Sequence, residues 1–154
     1  FAHVDPSTAK SRSGWIVFYA GCPVCWASKL QSQVALSTTE AEYIAMSQAL
    51  RDVIPVMNLI QEMKEKGFQV ICTLPSVYCK VFEDNSGALE LARLPKLRPR
   101  TKHINVCYHH FREHVQKGLI KIFPIDTKDQ IADALTKALA QNDFHRHRRL
   151  LCGK

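Results

Sequence analysis

The sequence predicts an α/β domain, a mixed sheet covered by helices, and two observations predict it. Short runs rich in branched and aromatic residues alternate with longer stretches of helical period, in the order strand, strand, helix, strand, helix, helix, strand, helix. The length, 154 residues at 46% apolar content, is that of one globular domain able to bury a sizeable core. Internal repeats and low-complexity linkers are absent from the sequence.

The elements follow in order. After a polar lead containing Pro6 and Ser7, GWIVFYAG (14–21) reads as a strand and CPVCWASKL (22–30) as its hairpin partner. Trp15 and Trp26 are expected to pack in the core or on the strand face. A long helix is predicted from Ser37 to Lys66, with Ser37, Thr38 and Thr39 as cap candidates and a Thr39/Glu42 capping box. Pro55 removes one ladder bond and should kink or divide this helix, and Gly67 ends it. SVYCKVFED (76–84) is a strand that runs into NSGALELAR (85–93), a short helix stopping before Pro95. LPKLRPRTKH (94–103) is a basic, proline-broken loop. INVCYHHFREHVQKG (104–118) reads as a helix closed by Gly118, and LIKIFPI (119–125) as a strand. DTKDQIADALTKALA (126–140) reads as an amphipathic helix with a Thr127/Gln130 capping box and Ile131, Leu135, Ala138 and Leu139 inward. One domain is expected over residues 1–141, followed by a basic C-terminal tail, 142–154, holding HRHRR.

With 21 Lys and Arg against 14 Asp and Glu, the chain carries +7, which favours a polyanionic partner. No apolar run approaches a membrane-spanning length, and the N-terminus is not a signal peptide. The chain lacks an initiator Met and opens in mid-pattern, so it reads as a piece of something longer. Of the six cysteines, Cys22 and Cys25 form a C-x-x-C with no second one after it, and His110 and His114 stand four apart without the glutamate of a metalloprotease helix. A small zinc module using Cys22, Cys25, Cys107 and His110 is a minor reading; free thiols at apolar positions are the expectation.

Two glutamates head the long helix, and on a period of 3.6 residues they face apart. The row of Glu40 is mostly polar, whereas Glu42 heads an apolar stripe of Ala45, Met46, Ala49, Leu50, Val53, Val56, Met57 and Ile60. A carboxylate there needs a cationic partner, and a metal ion is one. Asp84 ends a strand where open α/β sheets place ligands, and Asp133 lies in the first turns of the last predicted helix. Singly, Asp84 reads as a helix cap and Asp133 as a first-turn charge. Three such acids in a basic chain suggest a divalent-cation site of separated carboxylates. On this reading Glu40 is solvated.

The strings SRSGWIVFYAG, WASKLQSQVALSTTEAEYIAMSQA, FEDNSGALELA, RTKHINVCYHHFRE and DQIADALTKAL stand in this order over Ser11 to about Leu139. Together they resemble the ribonuclease H domain that follows the reverse transcriptase in copia-type retrotransposon polyproteins. The resemblance implies a ribonuclease H-like mixed sheet flanked by helices, and two Mg²⁺ ions (with Mn²⁺ as the substitute) about 4 Å apart that hydrolyse RNA. It implies Glu42, Asp84 and Asp133 as catalytic and metal-binding carboxylates. The family's first aspartate lies in a D-A-D-F/W-A motif on its first, central strand. Phe1 and Ala2 match the end of that motif, its aspartates would fall just before residue 1, and Asp5 is not their substitute. That strand, flanked by the hairpin and by VYCKVF, is therefore expected to be lacking.

The implied substrate is an RNA–DNA hybrid, read by shape through 2′-hydroxyls and phosphates. Asn85, Arg98, Arg100, Thr101, Lys102 and His103 are the nucleic-acid-binding candidates, with Lys96 in the same basic loop. Arg146, Arg148 and Arg149 read as non-specific charge. The implied partners are the hybrid and the reverse transcriptase of the same polyprotein, with no membrane, in the cytoplasm within virus-like particles. The rival reading is a catalytically dead domain that binds nucleic acid or braces the polymerase.

Overall fold

The two apolar runs near the N-terminus form the hairpin that their sequence predicts. In the computed structural model, which describes residues 2–4, 8–70, 76–94, 104 and 106–153, β2 (Ser11–Tyr19) pairs antiparallel with β3 (Cys22–Leu30). Ala20 (φ 51°) and Gly21 (φ 79°) turn the chain with two positive φ angles, as a tight hairpin with right-handed strand twist demands. A bulge between Val17 and Phe18 shifts the register near that turn. A short strand, β1 (Ala2–Val4), pairs antiparallel with the opposite edge of β2, placing Ala2 across from Ser13. Trp15 is buried in the core, and Trp26 lies on β3 with 63% of its surface exposed.

The long helix is α1 (Thr38–Glu65), and Pro55 does not divide it. Pro55 removes one backbone donor, while Val53 and Met57 beside it are buried and hold both flanking turns against the core. β4 (Cys79–Glu83) runs into α2 (Ser86–Arg93), and β5 (Ile120–Pro124) returns parallel to β4. The helix expected over 104–118 is instead a 3₁₀ turn, Val106–His109, and a short α3 (Arg112–Gln116). Tertiary partners outweigh period here: Tyr43 packs on both His109 and Phe111, and Arg112 donates to the Leu94 carbonyl at the end of α2.

The helix expected over 126–140 is likewise replaced by two 3₁₀ segments, Thr127–Asp129 and Ile131–Leu135. Asp126, not Thr127, caps the first by accepting from the Lys128 N–H at 3.2 Å. Gln130, the partner expected for a capping box, is extended (ψ 95°) and donates its side-chain N–H to the Phe82 carbonyl at 3.3 Å. The basic segment expected as a tail is helical, α4 (Gln141–Cys152), and Gly153 ends it at φ 69°. His147 of α4 is buried, with Nε2 3.1 Å from the Lys128 carbonyl oxygen.

The strands form two sheets, β1–β2–β3 and β4–β5, where one mixed sheet was expected. The core lies between α1 and β4–β5, with Tyr43, Leu50, Phe111 and Ile120 among its most buried side chains. Among the described residues no helix is long and apolar enough to cross a membrane.

Candidate functional site

No ladder hydrogen bonds join β2 to β4. β2 bonds to β1 and β3, β4 bonds to β5, and an apolar cleft of about 810 Å³ separates them. Its walls are Trp15–Gly21 and Val77–Glu83, and Asp129–Ala132 lines part of it. Its floor is α1, and the lining includes every apolar residue of the stripe headed by Glu42, from Ala45 to Ile60. The apolar period of α1 thus marks this cleft as well as the core. The β2 edge opposite β3 is not bare, as a lacking first strand would leave it: the three residues of β1, Ala2–Val4, pair along it.

The first turn of α1 gives the capping role to Glu40 rather than Glu42. Ser37 is the N-cap, its hydroxyl accepting from the Glu40 N–H at 3.1 Å. Glu40 answers by accepting from the Leu36 N–H at 2.9 Å and is only 8% exposed. The reciprocal cap is therefore Ser37/Glu40, not Thr39/Glu42, and Glu40 is not solvated. The cause is the packing of this end: Tyr43, Ile44 and Ser47 on the row of Glu40 are buried together with Ala45 and Met46 on the row of Glu42. Glu42 itself is half-buried, one turn before Ala45 and Met46.

Asp84 follows β4 directly and is half-buried. Asn85 caps α2, its Oδ1 accepting from the Ala88 N–H at 2.9 Å and from the Thr39 hydroxyl at 3.3 Å. That oxygen is engaged in the scaffold and ties the start of α1 to the start of α2. Gly87 makes the approach close enough that a Cβ there would stand 2.8 Å from Thr39 Oγ1. Asp133 is 6% exposed and forms an ion pair with Lys137 at 2.7 Å. Its segment is pressed onto β2: a Cβ at Gly14 would stand 2.6 Å from Thr136 Cγ2, and Ser28 donates to the Leu135 carbonyl at 2.6 Å. The Gln130 bond to Phe82 fastens the same segment to β4.

One acid in this region was given no role from sequence. Glu83 is 2% exposed, and burial pushes its carboxyl up to about 7, against the Asn85 N–H that donates to it at 3.0 Å. Strand parity is the signal that finds it: Cys79 and Val81 face the core, and Glu83 shares their side. On the far side of α1, the Tyr43 hydroxyl lies 2.7 Å from His109 Nδ1, and Ser47 Oγ lies 3.5 Å from His110 Nδ1. Desolvation lowers both imidazoles below their ordinary pKa; Arg112 adds to this at His109, and Arg51 and His114 at His110.

The structure therefore joins the elements that carry Glu42, Asp84 and Asp133 through Thr39–Asn85 and Gln130–Phe82. Oxygen donors suit Mg²⁺. Among the described residues, however, no three His, Cys, Asp or Glu side chains are grouped to hold a metal ion. Arg98, Arg100, Thr101, Lys102 and His103, with Lys96, lie outside the described residues.

The chain is similar to polyproteins of plant transposons. It is 37% identical over 140 residues to a retrovirus-related Pol polyprotein from transposon TNT 1-94 of Nicotiana tabacum, covering 91% of this chain and 10% of that protein. It is 35% and 36% identical to the corresponding polyproteins from transposons RE1 and RE2 of Arabidopsis thaliana, each over 91% of this chain and 9% of the relative. The chain thus spans about a tenth of the length of the relatives it matches. No protein-family model matches it, and no solved structure matches it significantly.

Proposed function

We propose, from the premise that this chain is related to one stretch of the retrovirus-related Pol polyproteins of plant transposons, that the stretch is their ribonuclease H region. Its reaction is hydrolysis of the RNA strand of an RNA–DNA hybrid. Glu42, Asp84 and Asp133 are the residues that would hold Mg²⁺, which when bound supplies a nucleophilic water and stabilises the departing oxygen. Among the described residues the three carboxylates are not grouped around a common point for an ion. What the chain's own residues do is position: the Ser37/Glu40 cap fixes the turn that carries Glu42, and the Asn85 cap fixes Asp84 beside it. The observation that carries the reading is the linkage of the three acid-bearing segments at Thr39–Asn85 and Gln130–Phe82.

A second reading is a domain that binds the hybrid or braces the polymerase without cutting. The Asp133–Lys137 ion pair favours it, because it occupies a carboxylate that catalysis would need. One experiment separates the two. An end-labelled RNA–DNA hybrid is incubated in Mg²⁺ with this chain, and with a longer polyprotein segment containing it. Cleavage that Glu42→Gln, Asp84→Asn and Asp133→Asn each abolish is the expected result. A folded longer segment that binds the hybrid and leaves it whole overturns the nuclease reading.

A further inference from the structure

The outer face of β4–β5 carries a pattern that hydrolysis does not use. Side chains alternate along a strand, and Cys79, Val81, Ile120 and Ile122 turn toward the core. Lys80, Phe82, Lys121 and Phe123 therefore turn outward, and all four are exposed. The parallel register sets Lys80 beside Lys121 and Phe82 beside Phe123. The two phenyl rings lie 6.0 Å apart at 33°, exposed by 47% and 37%. Behind them, the Lys80 and Lys121 ammonium groups lie 5.9 Å and 5.5 Å from the centre of the Tyr78 ring.

We infer that this face is a platform for single-stranded nucleic acid, with bases stacked on Phe82 and Phe123 and phosphates held by Lys80 and Lys121. Aromatic rings interleaved with cations on an open surface suit unpaired bases on a polyanionic backbone. A duplex keeps its bases stacked inside and offers such a surface little but phosphate. A purely apolar protein partner would cover the phenylalanines yet leave two neighbouring ammonium groups repelling each other. Glu83 is turned inward, away from this face, and Asp129, which lines the cleft beside Phe82, is paired with Arg146 at 2.8 Å. The net charge of +7 favours the same ligand class. The platform needs neither a metal nor Glu42, Asp84 or Asp133, so it stands apart from the ribonuclease reading.

The test is fluorescence anisotropy of a labelled oligothymidylate of about 12 nucleotides, within ordinary single-strand site sizes. It is run with the 154-residue chain in EDTA, so that cleavage plays no part. Phe82→Ala with Phe123→Ala should weaken binding about tenfold or more, since each stack is worth roughly that factor. Lys80→Gln with Lys121→Gln should flatten the slope of log affinity against log salt by about 1.4, the release expected from two phosphates. Circular-dichroism melts verify that both variants, altered only at exposed positions, remain folded. Unchanged affinity in the folded phenylalanine variant overturns the inference, as does an unchanged salt slope in the lysine variant. Equal affinity for a matched duplex also overturns it.

Discussion

Across the cleft, β2–β3 and β4–β5 are held together by different means. The antiparallel hairpin closes through a two-residue turn, and one side of β3 is open to water, with Val24 51% and Trp26 63% exposed. The parallel pair joins strands separated in sequence by α2 and α3, and its inner face is closed, with Ile120 at 1% and Ile122 at 4% exposure. A hairpin needs only local register and turn chemistry. A parallel pair must recover the entropy of a long connection from the core that it helps to close. The buried apolar cluster takes Ile120 and Ile122 from β5 but from the hairpin only Val17, at its margin.

Four measurements sharpen or break that contrast. The largest effect belongs to Ile122→Ala, which removes a buried branched side chain from β5 and should cost about 2–5 kcal/mol in urea melts. The next is Gly14→Ala, whose methyl would stand 2.6 Å from Thr136 Cγ2 and 3.2 Å from the Ala132 carbonyl oxygen. Overpacking of this kind costs about 1–3 kcal/mol. Hydrogen exchange should rise in 131–135 more than in β5; a uniform rise would mean that the hairpin and core unfold as one unit.

Acid is a gentler probe of the core side. His109 and His110 have folded pKa values below their ordinary 6.5, so the unfolded chain binds protons more readily. Their contribution is complete above 6.5 and is lost as pH falls through that region, opposite in sign to Glu83, whose carboxyl, raised to about 7, gains stability as it protonates. In a Glu83→Gln background the melting temperature should therefore drop from about pH 7.5 to about pH 5. His109→Gln should flatten that drop, and an unchanged slope would remove the imidazole from the account. The smallest effect is Val24→Ala on the exposed face of β3, expected within about 0.5 kcal/mol of the parent. A loss as large as that of Ile122→Ala would end the distinction between the two sheets.

The elements that were legible in sequence are those whose bonds are local. β3 spans the stretch read as the hairpin partner, and α1, Thr38–Glu65, lies within a residue of its predicted bounds at each end. Asp84 stands at the end of its strand, as expected. The misread segments, 104–118 and 126–140, have helical period but give their polar groups to distant partners. Arg112 reaches Leu94, and Gln130 reaches Phe82. Period and capping patterns describe a segment alone, and these two segments are shaped by what they touch.

The glutamates show the same division within a single helical turn. Sequence determined that a cap begins α1, that an apolar stripe descends from Glu42, and that acids stand at Asp84 and Asp133. It could not determine which glutamate is buried, because the row of Glu40 reads as polar until Tyr43, Ile44 and Ser47 are covered from the other side. Only the tertiary structure decided that both sides of this turn are enclosed, that two sheets flank an apolar cleft, and that Lys80 and Phe82 stand beside Lys121 and Phe123. Period fixes the angle at which a side chain leaves its own element, whereas burial depends on surfaces supplied by residues far away in the chain.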